Sequence, residues 1–319
     1  MGNIDVLSKQ FMSDNEIFAD AFNFLLYGGK QKIKPEDLKP LDTNSFSVEI
    51  NDTKVSSAFQ KNRDVFKILS AKKTDKVGFL ILGVENQAKI HYAMPVRTML
   101  YDSMQYASQV DLKSKENRKN KKCSNSDEFL SGFTKEDRLI PVITLVVYFG
   151  SNEWDGPTNI KDMFINVDKS VSKYLPNYYL NLISPQLSDL ELSKLKSELG
   201  VVMQFIKNSN DKNRLLKSLE KNKRLQKVSN ISATLIKETT GLNLKISKEK
   251  EFIDMNKGVK ELLDDTKKEG KKEGKKEGKL SAFYDMIKQG LITLDQAANS
   301  LGISTKQLLD DFKECNLVL

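Results

Sequence analysis

The most constraining feature of this 319-residue chain is an unbroken apolar run, Leu139–Phe149, with the sequence LIPVITLVVYF. A short run this rich in β-branched residues is typical of a strand that is buried on both faces. Such a strand needs a covering layer on each side, so we expect a sheet that lies between helices. It is the longest apolar stretch in the chain, and it is too short for a membrane span, which needs about 18 apolar residues.

Amphipathic segments surround this run. A helix is predicted over Ser13–Tyr27, with an acidic first turn and a glycine pair as its stop signal, and another over Met94–Val110, with a proline in its first turn. Three further segments with strand-like patterns are Phe46–Ile50, Val65–Leu69 and Val77–Glu85. The order helix, strands, helix, strand predicts an α/β domain.

The chain changes character after residue 185, where only helices are predicted. They are Ser188–Lys207, Asn213–Leu225, Ile231–Thr239 and a long charged helix from about Glu249. Glycines recur every fourth residue near the end of this last segment, and since glycine disfavours helix, a flexible linker is the alternative. We therefore expect an α/β domain over residues 1–185, a helical region over 186–248, a charged helix or linker over 249–280 and a small helical segment over 281–319.

The last segment contains a pattern that resembles a helix-turn-helix. In Leu291–Phe312 a small residue, Ala298, is followed by Gly302 at the expected turn and by Leu308 in the second helix. Ser304 is placed to cap that second helix. The second helix carries little positive charge, so oligomerisation or packing is as well supported as DNA reading.

The net charge of +8 is concentrated in two short tracts, Asp111–Cys123 and Lys267–Lys279, which carry +4 each on an otherwise neutral chain. Such tracts attract a polyanion such as DNA, although lysine-rich surface loops also serve solubility alone. The two cysteines match no metal or disulfide spacing, and the N-terminus has no signal-peptide pattern. We therefore expect a cytoplasmic protein with no membrane association.

Several other kinds of catalytic site are excluded by the sequence, which leaves chemistry based on carboxylates. A single histidine rules out histidine-based zinc sites, and neither a serine-hydrolase elbow nor a phosphate-binding glycine loop is present. Asp64 begins one predicted strand, whereas Glu85 and Gln87 end the next and share a face because they are two residues apart. If the two strands form a hairpin, both carboxylates meet at one sheet end, which suits Mg²⁺. Simple solvation of acids at strand ends is the alternative.

These residues belong to a longer set of local sequence strings. Besides Arg63-Asp64-Val65 and Gly83-Val84-Glu85-Asn86-Gln87, the set includes FADAF at 18–22, HYAMP at 91–95, YFG at 148–150 and EWDGP at 153–157. In this combination the chain resembles the Rpn recombination-promoting nucleases, which are also described as transposases and belong to the PD-(D/E)XK nuclease superfamily. The resemblance covers about residues 5–185.

The resemblance implies a restriction-endonuclease-like α/β core, with a central mixed sheet flanked by helices and a helical C-terminal extension. It also implies a DNA endonuclease that depends on Mg²⁺ or Mn²⁺. Asp64 and Glu85 would hold the metal, and Gln87 stands where the wider superfamily has lysine, so it can orient water but cannot offer positive charge. An inert DNA-binding or oligomerising protein on the same fold is the alternative.

Further residues are candidates for the same site. An acid on the first predicted helix, either Glu16 or Asp20, would add a metal ligand, and Asp5 is another candidate. Arg97 and Tyr101 lie four residues apart on one helix face, where they would hold a phosphate or pack on the sheet. Homo-oligomerisation is left open by the sequence.

Overall fold

The computed structural model of the chain describes residues 3–41, 64–73, 76–247, 249–315 and 317. The chain divides into two units, Met1–Asn256 and Lys257–Leu319. The strand predicted over Phe46–Ile50 lies outside the described residues. Within the described part of the chain, no helix combines the length and apolarity that a membrane span requires.

A five-stranded mixed sheet forms the centre of the first unit, with the strand order β1-β2-β3-β4-β5. The first three strands are antiparallel neighbours, whereas β4 pairs in parallel with β3 and with β5. The strands of this sheet are β1 Leu38–Pro40, β2 Val65–Lys73, β3 Lys76–Gln87, β4 Val142–Tyr148 and β5 Asn181–Ile183. All but one of the β4 residues are buried, which confirms the strand predicted from the apolar run.

The helices of the first unit precede, separate and follow these strands. They are α1 Asn3–Ser13, α2 Asn15–Tyr27, α3 Met94–Lys119, α4 Ser126–Ser131, α5 Lys169–Ser172, α6 Asp189–Leu192, α7 Glu198–Asn208, α8 Lys212–Lys221 and α9 Asn230–Thr240. A small antiparallel pair, β6 Val228–Ser229 and β7 Phe252–Ile253, lies beyond the main sheet. The described residues thus form the mixed α/β arrangement that the sequence predicts.

Local sequence signals explain most helix ends. The Asp14 side chain accepts hydrogen bonds from two N–H groups at the start of α2, and Gly28 closes that helix in the left-handed conformation, as predicted. Several predicted boundaries were wrong, and the long charged helix predicted from about Glu249 begins only at Met255, after the short strand β7. The helix predicted to end at Val110 continues to Lys119, because ion pairs within the basic tract support it. The single helix predicted over Ser188–Lys207 is broken, because Ser197 caps a new helix, α7.

Alternation along β2 and β3 gives the two sheet faces different neighbours. Phe66 of β2 and Ile81 of β3 pack in a buried cluster with Tyr106 of α3. The next residue of β2, Lys67, points to the opposite face, where its ammonium lies 4.7 Å from the ring of Phe18 on α2. Helices therefore cover both faces of the sheet, as expected for a layered α/β fold.

The second unit is helical. It contains most of α10, Met255–Lys288, followed by α11 Leu294–Leu301 and α12 Thr305–Glu314. The glycine-containing lysine tract is therefore helical rather than a linker. Ala298 and Leu308 are buried in the same cluster, Gly302 adopts the left-handed conformation at the turn, and Ser304 caps α12, which confirms the predicted two-helix turn.

Candidate functional site

The antiparallel register of β2 and β3 places the two predicted acids opposite each other. Val65 pairs with Val84, so Asp64, one residue earlier, stands across from Glu85. Directly opposed residues of an antiparallel pair point to the same face. An oxygen of Asp64 also accepts a hydrogen bond of 2.8 Å from the backbone N–H of Asn86. The hairpin on which the sequence argument depended is therefore present, and the negative charges of both Asp64 and Glu85 act on Arg97.

Helix α3 contributes a cation to this face. The Glu85 side chain is fully buried, and one of its oxygens lies 3.0 Å from Nη2 of Arg97. One helical turn further on, the hydroxyl oxygen of Tyr101 accepts a hydrogen bond of 3.1 Å from Nε of Arg97. The structure thus brings Asp64, Glu85, Arg97 and Tyr101 into one group, in which Arg97 retains 24% side-chain exposure.

The charges in this group influence one another. Burial raises the pKa of Asp64, and this rise is opposed by the Asn86 hydrogen bond and by the positive charges of Lys9 and Arg97. Burial likewise raises the pKa of Tyr101, with the negative charge of Glu85 adding to the effect. Burial works to lower the pKa of Arg97, but the nearby acidic groups outweigh it and raise that pKa. Negative charge therefore predominates around the Arg97 guanidinium.

Helix α1 adds two charged residues that influence Asp64. Asp5 raises the pKa of Asp64 and Lys9 lowers it. The two are four residues apart, so they share a helix face, and α1 packs against both β2 and β3. Asp5 was a candidate from the sequence, whereas sequence reasoning missed Lys9. The signal that could have found it is the helical spacing of Ile4, Leu7, Phe11 and Met12.

Gln87 lies at the last position of β3. It shares a face with Glu85, is half-buried, and pairs with Tyr148 of the parallel strand β4. Its backbone oxygen accepts a hydrogen bond of 2.8 Å from the N–H of Phe149. Because β3 and β4 run parallel, their carboxyl ends meet at this edge of the sheet, where Gln87 is partly exposed.

The two acidic candidates of the first predicted helix lie in other settings. Glu16 is exposed in the first turn of α2. Asp20 is buried, and its carboxylate accepts hydrogen bonds of 2.8 Å from both the backbone N–H and the hydroxyl of Ser197. Its other oxygen accepts a hydrogen bond of 3.1 Å from the side chain of Gln31. The Asp20 carboxylate therefore joins α2 to the start of α7.

The carboxylates of Asp64 and Glu85 fit a hard divalent cation by ligand type. Mg²⁺ is commonly held by one or two carboxylates, with water or substrate oxygens completing its coordination. In the described part of the chain, no three His, Cys, Asp or Glu side chains stand close enough to form a metal centre. The pair therefore suits a cation that keeps most of its waters, rather than a cage built from protein ligands alone.

Comparison with known proteins agrees with the resemblance noted in the sequence. The family model described as "Putative transposase, YhgA-like" matches residues 5–235, which run from α1 through the main sheet and into α9. No curated protein and no solved structure gives a significant match. Since the family model covers well over half of the chain, the protein belongs to this YhgA-like transposase family.

Proposed function

We propose that this protein is a DNA endonuclease that hydrolyses phosphodiester bonds with the help of Mg²⁺ or Mn²⁺. The observation that carries the proposal is that Asp64 and Glu85, at one end of the β2–β3 hairpin, both act on the charge of Arg97. Membership of a transposase family supports DNA as the substrate and recombination as the setting. A paired-carboxylate site at the end of a sheet supports hydrolysis as the reaction.

The chemistry divides among the side chains of the group. Asp64 and Glu85 hold the cation, which when bound polarises the phosphate and supplies an activated water. The amide oxygen of Gln87, on the same face as Glu85, accepts a hydrogen bond from that water and so orients it. The water oxygen bonds to phosphorus as the bond from phosphorus to the leaving sugar oxygen breaks. The attacking water loses a proton to solvent, and the leaving oxygen takes a proton from solvent to become a hydroxyl.

Positive charge at this site comes from residues other than Gln87. Arg97 is already held against Glu85 and Tyr101, so its guanidinium is oriented toward the same face and can bind a phosphate oxygen. Lys9 acts electrostatically on Asp64 and offers a second cation. We infer that these two residues supply the charge that a neutral amide cannot offer to the leaving group.

A catalytically inert DNA-binding protein is the second candidate. Two observations favour it, namely the neutral side chain of Gln87 and the ion pair that already neutralises Glu85. It predicts DNA binding without metal-dependent cleavage. The endonuclease proposal predicts both.

Cleavage of supercoiled plasmid separates these candidates. We expect the parent protein to nick DNA only when Mg²⁺ or Mn²⁺ is added, and we expect Asp64→Ala to lose this activity. Glu220→Ala is the matched control, because it removes an exposed carboxylate from α8 and should leave cleavage unchanged. If Asp64→Ala, purified in the same way, cleaves as fast as the parent, the endonuclease proposal fails at this site.

A further inference from the structure

Two large apolar side chains project into solvent beside the first basic tract. Phe129 is 68% exposed and Leu130 is 83% exposed, both on the short helix α4. Single exposed apolar residues are ordinary, but an adjacent pair this open is a typical contact point for a partner.

The structure holds this pair firmly in place. Asn117 of α3 is almost fully buried, and its amide donates hydrogen bonds of 3.1 Å to the backbone oxygen of Gly132 and 2.6 Å to the carboxylate of Asp137. A Cβ added at Gly132 would lie 1.9 Å from Oγ of Ser114, so only glycine allows this close approach to α3. Phe129 and Leu130 are therefore exposed on a fixed support and not on a loose loop.

The surroundings of the pair are basic. Residues 111–138 contain eight basic and six acidic residues, a net charge of +2, and the basic tract Asp111–Cys123 within them carries +4. The exposed basic side chains are Lys115, Arg118, Lys119, Lys121, Lys122, Lys135 and Arg138. This excess of positive charge favours a polyanionic partner.

Lys121 provides a separate indication. Its φ is 51°, the only positive φ of a non-glycine residue in the described ranges. The position directly follows α3, where glycine or asparagine normally adopts this left-handed conformation without strain. This conformation closes α3, because the N–H of Lys122 donates a hydrogen bond of 2.9 Å to the backbone oxygen of Asn117, and it places the exposed Lys121 side chain at the end of the helix.

Helix α3 connects this region to the candidate site. The helix is continuous from Met94 to Lys119, so Arg97 and Arg118 are about 32 Å apart along its axis. One turn of B-form DNA is about 34–36 Å long. A duplex that lies along α3 can therefore reach both ends of the helix within one turn.

We propose that residues 118–132 form a DNA-binding tip that grips duplex DNA about one helical turn from the cleaved bond. Phe129 and Leu130 enter the minor groove as an apolar wedge, while Arg118, Lys119 and Lys121 contact the phosphates on either side. Apolar wedges of this kind unstack a base step and kink the duplex. This proposal rests on the proposed function for its partner and adds a bound, bent substrate to it.

Bending of a fluorescently end-labelled duplex tests the wedge, in buffer with EDTA so that the DNA stays intact. We expect the parent to bring the two ends of a duplex of about three helical turns closer together. We expect the double variant Phe129→Ala with Leu130→Ala to bind without that change in energy transfer. Ile165→Ala with Tyr174→Ala is the matched control, because these residues are equally exposed but lie in another segment. Equal bending by both double variants overturns the wedge.

Lys121 allows a second test that separates binding from folding. Lys121→Gly removes the charge and also the strained conformation, so its thermal midpoint should equal or exceed that of the parent, while the log–log salt slope of DNA binding becomes shallower by about 0.9. Lys121→Arg keeps the charge and should keep the slope. An unchanged slope in Lys121→Gly, or a change in oligomeric state in place of DNA binding, overturns the proposal.

The failure of this proposal can be distinguished from that of the endonuclease proposal. If the tip variants bend DNA like the parent while Asp64→Ala loses cleavage, only the wedge is wrong. If the parent binds DNA at the tip but Asp64→Ala cleaves normally, only the catalytic assignment is wrong. If the parent binds no DNA, both are wrong.

Discussion

The two faces of the β2–β3 hairpin both bury charged side chains, but these side chains have different kinds of partner. Toward α3, the carboxylates of Asp64 and Glu85 both act on the guanidinium of Arg97. On the face toward α1 and α2, Lys67 is 4% exposed and donates hydrogen bonds of 2.7 Å to the backbone oxygen of Ser13 and 2.5 Å to the side-chain oxygen of Asn15. One face gathers like charges, whereas the other gives a single charge its own partners.

This difference distinguishes a structural buried charge from a candidate functional one. The partners of Lys67 are a carbonyl at the end of α1 and a neutral amide, so they stabilise the contact between helices and sheet. On the other face, two neighbouring carboxylates depend on a long, partly exposed side chain that a cation or a phosphate can displace. Like charges that converge in this way cost stability, and that cost is typical of sites that bind a ligand.

The largest effect is expected on the α3 face. Glu85→Gln keeps the size of the side chain but removes a hard, charged ligand, so cleavage should fall by about 10³-fold or more. The free energy of unfolding should change by less than about 1 kcal/mol, because the partly exposed Arg97 can turn to water. Plasmid cleavage and urea denaturation measure the two quantities. If Glu85→Gln loses cleavage only because it unfolds, Glu85 is a structural buried charge, and the distinction between the two faces disappears.

The opposite face predicts a pH effect on stability. Burial lowers the pKa of Lys67 from 10.5 to about 8. Between these values the unfolded chain binds one more proton than the folded chain, so the free energy of unfolding should rise with pH across that window. Relative to Lys67→Met, the parent should gain up to about 3 kcal/mol between pH 8 and 10.5.

Urea denaturation over that pH range measures this gain. Lys223→Met is the control, because it removes an exposed lysine and should leave the pH dependence of the parent unchanged. Parallel curves for the parent and Lys67→Met would mean that Lys67 keeps its ordinary pKa. Lys67 could then no longer serve as the structural buried charge in the comparison of the two faces.

Asp20 extends the comparison to a buried carboxylate outside the sheet. Asp20→Ala leaves the N–H and hydroxyl of Ser197 without their acceptor at the start of α7, so we expect a loss of about 2–3 kcal/mol of stability. Cleavage per folded molecule should stay within about twofold of the parent value. If Asp20→Ala instead abolishes cleavage and leaves stability intact, Asp20 is a ligand of the site.

The sequence predicts the layered fold well because its strongest signals are local. The apolar run that becomes β4, the cap at Asp14 and the turn at Gly302 each follow from a few adjacent residues. The prediction was poorer where distant contacts decide. Nothing in the residues around Asp20 predicts that its carboxylate bonds to Ser197, which lies 177 positions further along the chain.

The candidate site shows the same division. The alternation along β3 correctly put Glu85 and Gln87 on one face, and the hairpin brought Asp64 opposite, because strand register follows from short-range pairing. The partners of these residues could not be predicted in this way. The pairing of Arg97 with Glu85 and the influence of Lys9 on Asp64 depend on how α3 and α1 pack on the sheet, which spacing alone does not determine.

The smallest effect concerns Gln87, which shares the face of Glu85 but carries no charge. Gln87→Ala removes the amide that orients water, so cleavage should slow by about tenfold, or about 1.4 kcal/mol, with no change in the Mg²⁺ concentration that gives half-maximal rate. If Lys9 supplies the charge that Gln87 lacks, Lys9→Ala should slow cleavage too, and Gln87→Lys should restore it in that background. Single-turnover cleavage by the parent, Lys9→Ala, Gln87→Lys and the double variant gives the coupling between the two positions. Independent effects would place Lys9 outside the chemistry and leave Arg97 as the cation that acts on the phosphate.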